Sequence, residues 1–538
     1  MTIDVRHRLA RALAWLERLA ERPLAAVLLF ALGLGDYAVQ ALAWPLVAGR
    51  DIGEYLTDYV QFLDWHPLLP WPMLFRTPVA PIVIGSSLDV AGGAFAEPVM
   101  AILFAGSVLA WSAAARTFGP RVALAVPAAL LVYPGYSLMF HELSSDSIFC
   151  AGFALWAYLV ARAAARPSAR RFALVGLGVA LVALIRPGNA ILLGFVLFPL
   201  AVRGSWRARL SWAAGFAVAA VLPLATWAVL NGIRYGDYAL ARGGNAVVPF
   251  YRAFITDRII SPDHGPASRR LANAIQQHLL THDPYKSYGV TLDEVFKSGS
   301  FRIHEDLYNL SDQVFGWNSN YSVLRKAAIE GVEAEPGKYA SGVAKTIWQQ
   351  LDRSYFRTPS SQAPRSSGGR AEAGPTVVVH GRRLPAPTEG QPIPTGHDAW
   401  ISRPDNSILL VWTSATHHQF VFRDPAQKRR FMQIQRRKNE LFANLPDRSS
   451  HGGFLHRLNQ FSRWYPRSIV WIVLGLVALV VRRPCGSRTL VALALSALLV
   501  IVFNALGLFA DLHFALPVAP AFILLGLGAL LGNAPKRA

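Results

Sequence analysis

The sequence predicts an all-α polytopic membrane protein of about ten transmembrane helices with a mainly α extracytoplasmic insertion. Three observations predict it. Hydrophobic residues make up 53% of the 538 positions and charged residues only 16%, well short of the about 25% that a soluble domain carries. Apolar runs long enough for a hydrocarbon core of ~30 Å recur along the chain. Between them lie short connectors rich in arginine, which in membrane proteins collect on the cytoplasmic side. The +20 net charge is therefore read as membrane sidedness and attraction to anionic lipid, not as a nucleic-acid footprint. A soluble enzyme, a disordered chain and a disulfide framework are all excluded, the last because only Cys150 and Cys485 are present.

The elements follow in order. Arg6 to Arg22 alternates arginines with Leu9, Leu13, Trp15, Leu16 and Leu19, a basic amphipathic helix for the inner leaflet. Pro23 to about Val47 is the first span, running outward. Later spans are expected at Ala94–Ala115, Arg121–Met139, Ser147–Ala165, Leu210–Leu230, Ser468–Val481, Thr489–Leu508 and Phe514–Leu531. The basic connectors hold Arg116 and Arg121; Arg162, Arg166, Arg170 and Arg171; Arg203, Arg207 and Arg209; Arg482, Arg483 and Arg488; Lys536 and Arg537 close the chain. To keep these on one side, Phe172–Val202 must be two short helices meeting at Arg186-Pro187, since proline lacks a donor and disfavours helix in the residue before it. Arg186 then sits in or near the membrane, where a charge is costly and marks function.

This map divides the chain into residues 1–22, an N-terminal transmembrane module 23–230, an extracytoplasmic block 231–465 and C-terminal helices 466–538. Within the block, residues 357–406 are rich in Pro, Ser, Gly and Arg and read as a flexible linker. Pro425–Ala443 reads as a basic helix with a solvated or lipid-facing charged side. The protein is expected in the inner (plasma) membrane, with its chemistry on the extracytoplasmic face.

Candidate chemistry lies in the outer loops. Asp51, Glu54, Tyr55 and Asp58 stand at i, i+3, i+4 and i+7, one face of a helix. Such a face is either a solvated loop helix or a carboxylate at a polar–apolar boundary, where desolvation tunes it toward general-base work. Arg50 precedes this face. Arg76 follows a Trp- and Pro-rich interfacial stretch and is either a phosphate ligand or an ordinary interfacial arginine. The turn His141-Glu142-Leu143-Ser144-Ser145-Asp146 holds a second acidic group, with Asp146 expected to cap the next span. Arg186, Arg242 and His513 complete the cationic candidates for an anionic group.

The order of these motifs resembles the GT-C superfamily of lipid-linked-sugar glycosyltransferases, in particular the branch with protein O-mannosyltransferases and aminoarabinose transferases. The motifs are Gly-Arg-Asp…Tyr after the first span, Thr77-Pro78-Val79-Ala80-Pro81 at the interface, the short acidic turn, Ile185-Arg186-Pro187-Gly188-Asn189, and Phe514-Ala515-Leu516-Pro517 with Pro520 opening the last span. The likeness covers about Pro23–Leu230 and Trp464–Leu531. It implies a polyprenyl-phosphate sugar donor, an acceptor hydroxyl on a glycan, lipid or protein, and single-step inverting transfer outside the membrane. It further implies Asp51 as base, Asp146 as a second acid near the donor phosphate, and Arg186 as the mid-chain arginine. Relatives in this branch often carry two adjacent acids in the first loop, whereas Ile52 and Gly53 separate Asp51 from Glu54 here. Asp51, Glu54 and Asp58 therefore all remain candidates for the base, with catalytic roles assigned to Asp51, Glu54 and Asp146. Substrate contacts are assigned to Arg50, Tyr55, Asp58, Arg76, His141, Glu142, Arg186, Arg242 and His513. A divalent-metal requirement, the sugar and the acceptor are not decided by the sequence. A flippase for lipid-linked glycans, which has no use for an acidic outer loop, and an envelope scaffold without catalysis are the competing functions.

Overall fold

The computed structural model describes residues 17, 22–69, 75–242, 249–282, 285–353, 376–379, 382–385, 399–400, 408–412, 418–445 and 452–534. Of the expected amphipathic helix Arg6–Arg22, Glu17 and Arg22 alone are among them, and the rest lies outside.

Helices dominate. The N-terminal module comprises α1 (Pro23–Ala43), α2 (Ile52–Gln61), α3 (Val79–Ala91), α4 (Gly93–Ala115), α5 (Pro120–Leu131), α6 (Ser145–Ala165), α7 (Ala169–Ile185) and α8 (Trp206–Tyr235). Serines start the helices that leave connectors: Ser144, Ser168 and Ser205 each accept a backbone N–H of the first turn, satisfying a donor that the helix itself cannot. Among the described residues, six helices are long and apolar enough to cross a membrane. They are Pro23–Leu42, Gly93–Phe118, Ser145–Ala165, Trp206–Tyr235, Gln460–Arg482 and Ser487–Gly507. The chain is thus a multi-pass membrane protein.

The number of full spans is smaller than the expected ten. The stretch expected as one span at Arg121–Met139 is a pair, Pro120–Leu131 and Pro134–His141, bent by 69°. Pro134 is the cause: it pushes Tyr133 to φ −103°, ψ 88°, out of the helical region. With that pair as one span the count is seven. The break at Arg186-Pro187 is where the sequence puts it, with Arg186 extended at φ −145°, ψ 118°. The second half differs from expectation. It is a 3-10 helix over Pro187–Leu197, followed by one α-turn at Phe198–Ala201. The last helix, Ala519–Leu531, is also shorter than a span.

The basic connectors gather at one end of the bundle. Asn533 N–H donates to Phe118 O at 3.0 Å, Cys485 N–H to Asn533 O at 2.9 Å, and Arg488 to Ala201 O at 3.1 Å. At the other end, the loop after α1 pairs with the turn before α6. Val47–Ala48 (β1) and Glu142–Leu143 (β2) form a two-residue parallel ladder.

The block 231–465, called the outer block after its expected side, is helical over most of its described residues, with α9 (Pro266–His278), α10 (Phe301–Phe315), α11 (Ser322–Ala334) and α12 (Pro336–Leu351) around a core of Phe250, Phe254, Leu271, Ile275, Leu307 and Leu324. In the stretch read as a linker, the described parts are short strands. Thr376–Val379 pairs with Arg382–Pro385, and Ala399–Trp400 with Ile408–Trp412. The β-branched run Thr376-Val377-Val378-Val379 suits that state. The basic helix α13 (Pro425–Ala443) forms with its expected bounds. It is not wholly solvated: Phe431 and Ile434 pack on Leu68 and Leu69, and Arg430 pairs with Asp64 at 2.9 Å. Helices α14 (Ser468–Arg482), α15 (Ser487–Gly507) and α16 (Ala519–Leu531) complete the bundle.

Candidate functional site

Gly49 is the hinge of the site. Its N–H donates to Leu143 O at 3.2 Å, and a Cβ there would stand 2.5 Å from the Ser144 side chain. Only a residue without a side chain lets the two acidic loops lie this close. The next residue but one, Asp51, takes φ 58° at the N-cap of α2 and makes no capping bond. A left-handed backbone is strained for most residues, and Asp and Asn tolerate it best. The carboxylate is thereby turned from the helix end toward Arg76.

Arg76 clamps two acids with one nitrogen. Its Nη2 lies 2.8 Å from Asp51 and 2.6 Å from Glu54, and its guanidinium stands over the Tyr55 and Phe75 rings at 5.6 and 5.3 Å. Of the predicted helical face, Glu54, Tyr55 and Asp58 lie on α2, whereas Asp51 precedes the helix with a left-handed backbone. Tyr55 uses its hydroxyl to donate to Ser145 at 2.8 Å, a second strap between the two acidic loops. Asp58, one turn further, is buried with neither carboxylate oxygen bonded among the described residues. Burial pushes Asp58 well above the usual carboxylate range, helped by Glu54 and opposed by Arg76. Glu54 is raised too, mainly by burial, with Arg76 pulling it back.

The second acidic group sits beside the first. Ser144, not Asp146, caps α6, through a reciprocal pair with Ser147, which corrects the expected role of Asp146. Asp146 is instead free to bind Arg186. Arg186 also donates to His513 O at 3.4 Å and stands over Phe514 at 5.2 Å. His513 bridges two carboxylates, Nδ1 to Asp511 at 2.8 Å and Nε2 to Glu142 at 3.0 Å. Burial disfavours its charge, but those bonds and the field of Asp146 and Glu142 outweigh it and carry its pKa up to about 10. Asp511, desolvated but held by His513 and Arg50, falls below the usual range.

Arg50 joins the halves. It pairs with Asp511 at 2.9 Å and lies over Phe509 and Phe514 at 5.9 and 5.7 Å. Burial opposes its charge, but Asp146, Asp511 and Asp51 raise its pKa, so one guanidinium feels acids from three loops. The structure thus brings together Arg50, Asp51, Glu54, Tyr55, Asp58, Arg76, Glu142, Asp146, Arg186 and His513.

Two predicted residues lie elsewhere. Arg242 is buried in the outer block, bound to Asp312 at 2.7 Å, Asp237 at 3.4 Å and the Trp317 carbonyl at 2.9 Å. Its Nε donates to the Tyr321 hydroxyl at 3.2 Å. It is a core ion pair, because the helix end and turn that carry it pack inward on α10. His141 is fully buried and stacked flat on Tyr37 at 4.1 Å, an aromatic packing role. Asp511 is the residue that sequence reasoning misses. Its only local signal is its place two residues before His513, whereas its partner Arg50 is 461 positions away. Among the described residues, no group of three or more His, Cys, Asp or Glu is arranged to hold a metal ion.

Residues 76–227 match the family model of dolichyl-phosphate-mannose-protein mannosyltransferases. The GT-C likeness holds over this segment. It begins at Arg76 and includes Glu142, Asp146 and Arg186, while Asp51 and His513 fall outside it. No curated protein matches the chain significantly. Among solved structures, ArnT from Cupriavidus metallidurans bound to undecaprenyl phosphate is 15% identical, with 95% of this chain and 78% of that chain covered and a TM-score of 0.34. The apo state of the same protein gives 14%, 94%, 77% and 0.32.

Proposed function

We propose that the protein is a membrane glycosyltransferase moving a sugar from a polyprenyl-phosphate donor to an acceptor hydroxyl at the extracytoplasmic face. The observation that carries this reading is the pairing of two acid–arginine sets, Asp51/Glu54 with Arg76 and Asp146 with Arg186, bridged by Arg50 at the bundle end opposite the basic connectors. The family likeness over residues 76–227 supports the same class.

The reaction is an in-line displacement. The acceptor oxygen forms a bond to the anomeric carbon as the carbon–oxygen bond to the donor phosphate breaks. The bonding pair leaves on the phosphate oxygen, and the hydroxyl proton passes to a first-loop carboxylate. Asp51 is the stronger candidate, with 42% of its side chain exposed against 35% for Glu54. The developing phosphate charge needs fixed cations. Arg186, Arg50 and protonated His513 stand together to supply it, and guanidinium forks match phosphate oxygens. A lipid tail stays in the bilayer while its head reaches a site at the bundle end.

The test incubates purified protein with a panel of radiolabelled polyprenyl-phosphate sugars. One donor should be consumed. Asp51→Asn, which keeps the left-handed backbone tolerable, should cut that rate by about 10²–10⁴ while the protein stays folded. No consumption of any donor, or an undiminished rate in the variant, overturns the proposal.

A further inference from the structure

The outer block grips the segment that presents Asp511 and His513. Arg252 is fully buried, and its fork is shared between two tasks. Nε and Nη2 bind Asp257 at 2.8 and 3.0 Å. Nη1 donates to Ala505 O at 2.6 Å and Leu508 O at 2.8 Å, and to Thr346 at 3.2 Å. Ala505 and Leu508 end α15, where the last carbonyls have no partner within the helix. An arginine from 253 residues away thus supplies the cap. Tyr339 donates to Leu506 O at 2.8 Å and Gln350 to Phe509 O at 3.4 Å, while Tyr251 stacks on Phe509 at 5.7 Å. The carbonyls of Ala505, Leu506, Leu508 and Phe509 thus all accept from side chains of the outer block. Gly342 of α12 lies flat on the ion pair, since a Cβ there would stand 2.4 Å from Asp257 and 2.6 Å from Arg252.

Two residues on, the same segment enters the site. Phe509 lies under Arg50, and Asp511 binds both Arg50 and His513. We propose that Arg252 is a positioning residue that sets the Asp511–His513 pair against Glu142 and Arg50, so that the outer block controls the geometry of the donor-phosphate side of the site. The assignment of that side rests on the proposed transferase function; the mechanical link does not. The groups facing His513 are Asp511, Glu142, Asp146 and the carbonyl-bound Arg186, and shifting the 505–511 segment changes the first of these directly.

The experiment uses the full-length protein in detergent with labelled histidine, its His513 resonance assigned by His513→Gln. In the native protein that imidazole should remain protonated to about pH 10. In Arg252→Gln its midpoint should fall by at least about one pH unit, a tenfold loss of proton affinity, with Gly342→Ala shifting it the same way by less. Arg252→Lys, which keeps the charge but not the fork, should fail to restore it. Amide exchange in the native protein should show residues 505–511 opening together with 250–257. A lowered melting temperature with an unchanged His513 midpoint would make Arg252 merely structural and overturn the proposal, as would independent exchange of the two segments. These readouts need no sugar transfer. A missing transferase activity with a shifted His513 would remove the proposed function and leave the link standing.

Discussion

Two sets of arginines in this molecule have carboxylate partners and opposite fates. Arg242 and Arg252 in the outer block are 1% and 0% exposed at the side chain, and each spreads its nitrogens over carboxylates, hydroxyls and carbonyls. Arg50, Arg76 and Arg186 at the bundle end are 38%, 21% and 21% exposed, and each forms its ion pairs through a single nitrogen. The first set is saturated and closes a core. The second is oriented by neighbouring acids and rings, pairs through one nitrogen each among the described residues, and under the proposed function turns its other donors to the substrate. Burial and satisfaction, not residue type, separate a structural arginine from one available to a substrate.

Replacing members of each set tests that distinction. Arg242→Ala leaves Asp237 and Asp312 buried without their cation, and such a loss costs about 3–5 kcal/mol. Chemical denaturation of the outer block should read it; a change below about 1 kcal/mol would break the comparison. Arg186→Ala should act the other way. It removes one stabilising donor, worth about 10²–10³ in rate, and should lower donor use further than it lowers stability, although the buried Asp146 loses its cation. Equal losses of folded protein and activity would place Arg186 with the saturated set. The third test is a pH dependence. The folded pKa of His513 lies above its ordinary value of 6.5, so its stabilising contribution is complete below about pH 6.5 and is lost as pH rises toward 10. That loss is at most roughly 1.4 kcal/mol per pH unit. Melting curves across this window should slope downward in the native protein and flatten in His513→Gln.

Much of the architecture is legible in the sequence because a bilayer imposes length and polarity on a helix whatever it packs against. Spans are expected at Ala94–Ala115, Ser147–Ala165 and Thr489–Leu508, and the helices run over Gly93–Ala115, Ser145–Ala165 and Ser487–Gly507. The break at Arg186-Pro187 is legible from proline chemistry combined with charge bias. The same chemistry at Tyr133-Pro134 gives no such signal because no charge accompanies it. In the site, the acidic face of α2 is legible from helical spacing. The cap of α6 is misassigned to Asp146 in sequence because Asp is a good cap residue, whereas Ser144 takes that place through its reciprocal bonds with Ser147. Arg242 is misread from sequence because its partners Asp312, Trp317 and Tyr321 are 70 to 79 residues away.

The sequence by itself determined that this chain lives in a bilayer, where its charged connectors fall, and which short loops hold acids beside arginines. Those properties are local, set by apolar length, proline and residue spacing within a turn or two. Tertiary structure alone decided that Arg50 meets Asp511, that His513 lies between two carboxylates, that Arg242 is sealed inside the outer block, and that Arg252 is buried where that block meets the end of α15. Whether an arginine keeps its charge open to a ligand depends on what surrounds it in space, and its neighbours here come from segments hundreds of residues apart.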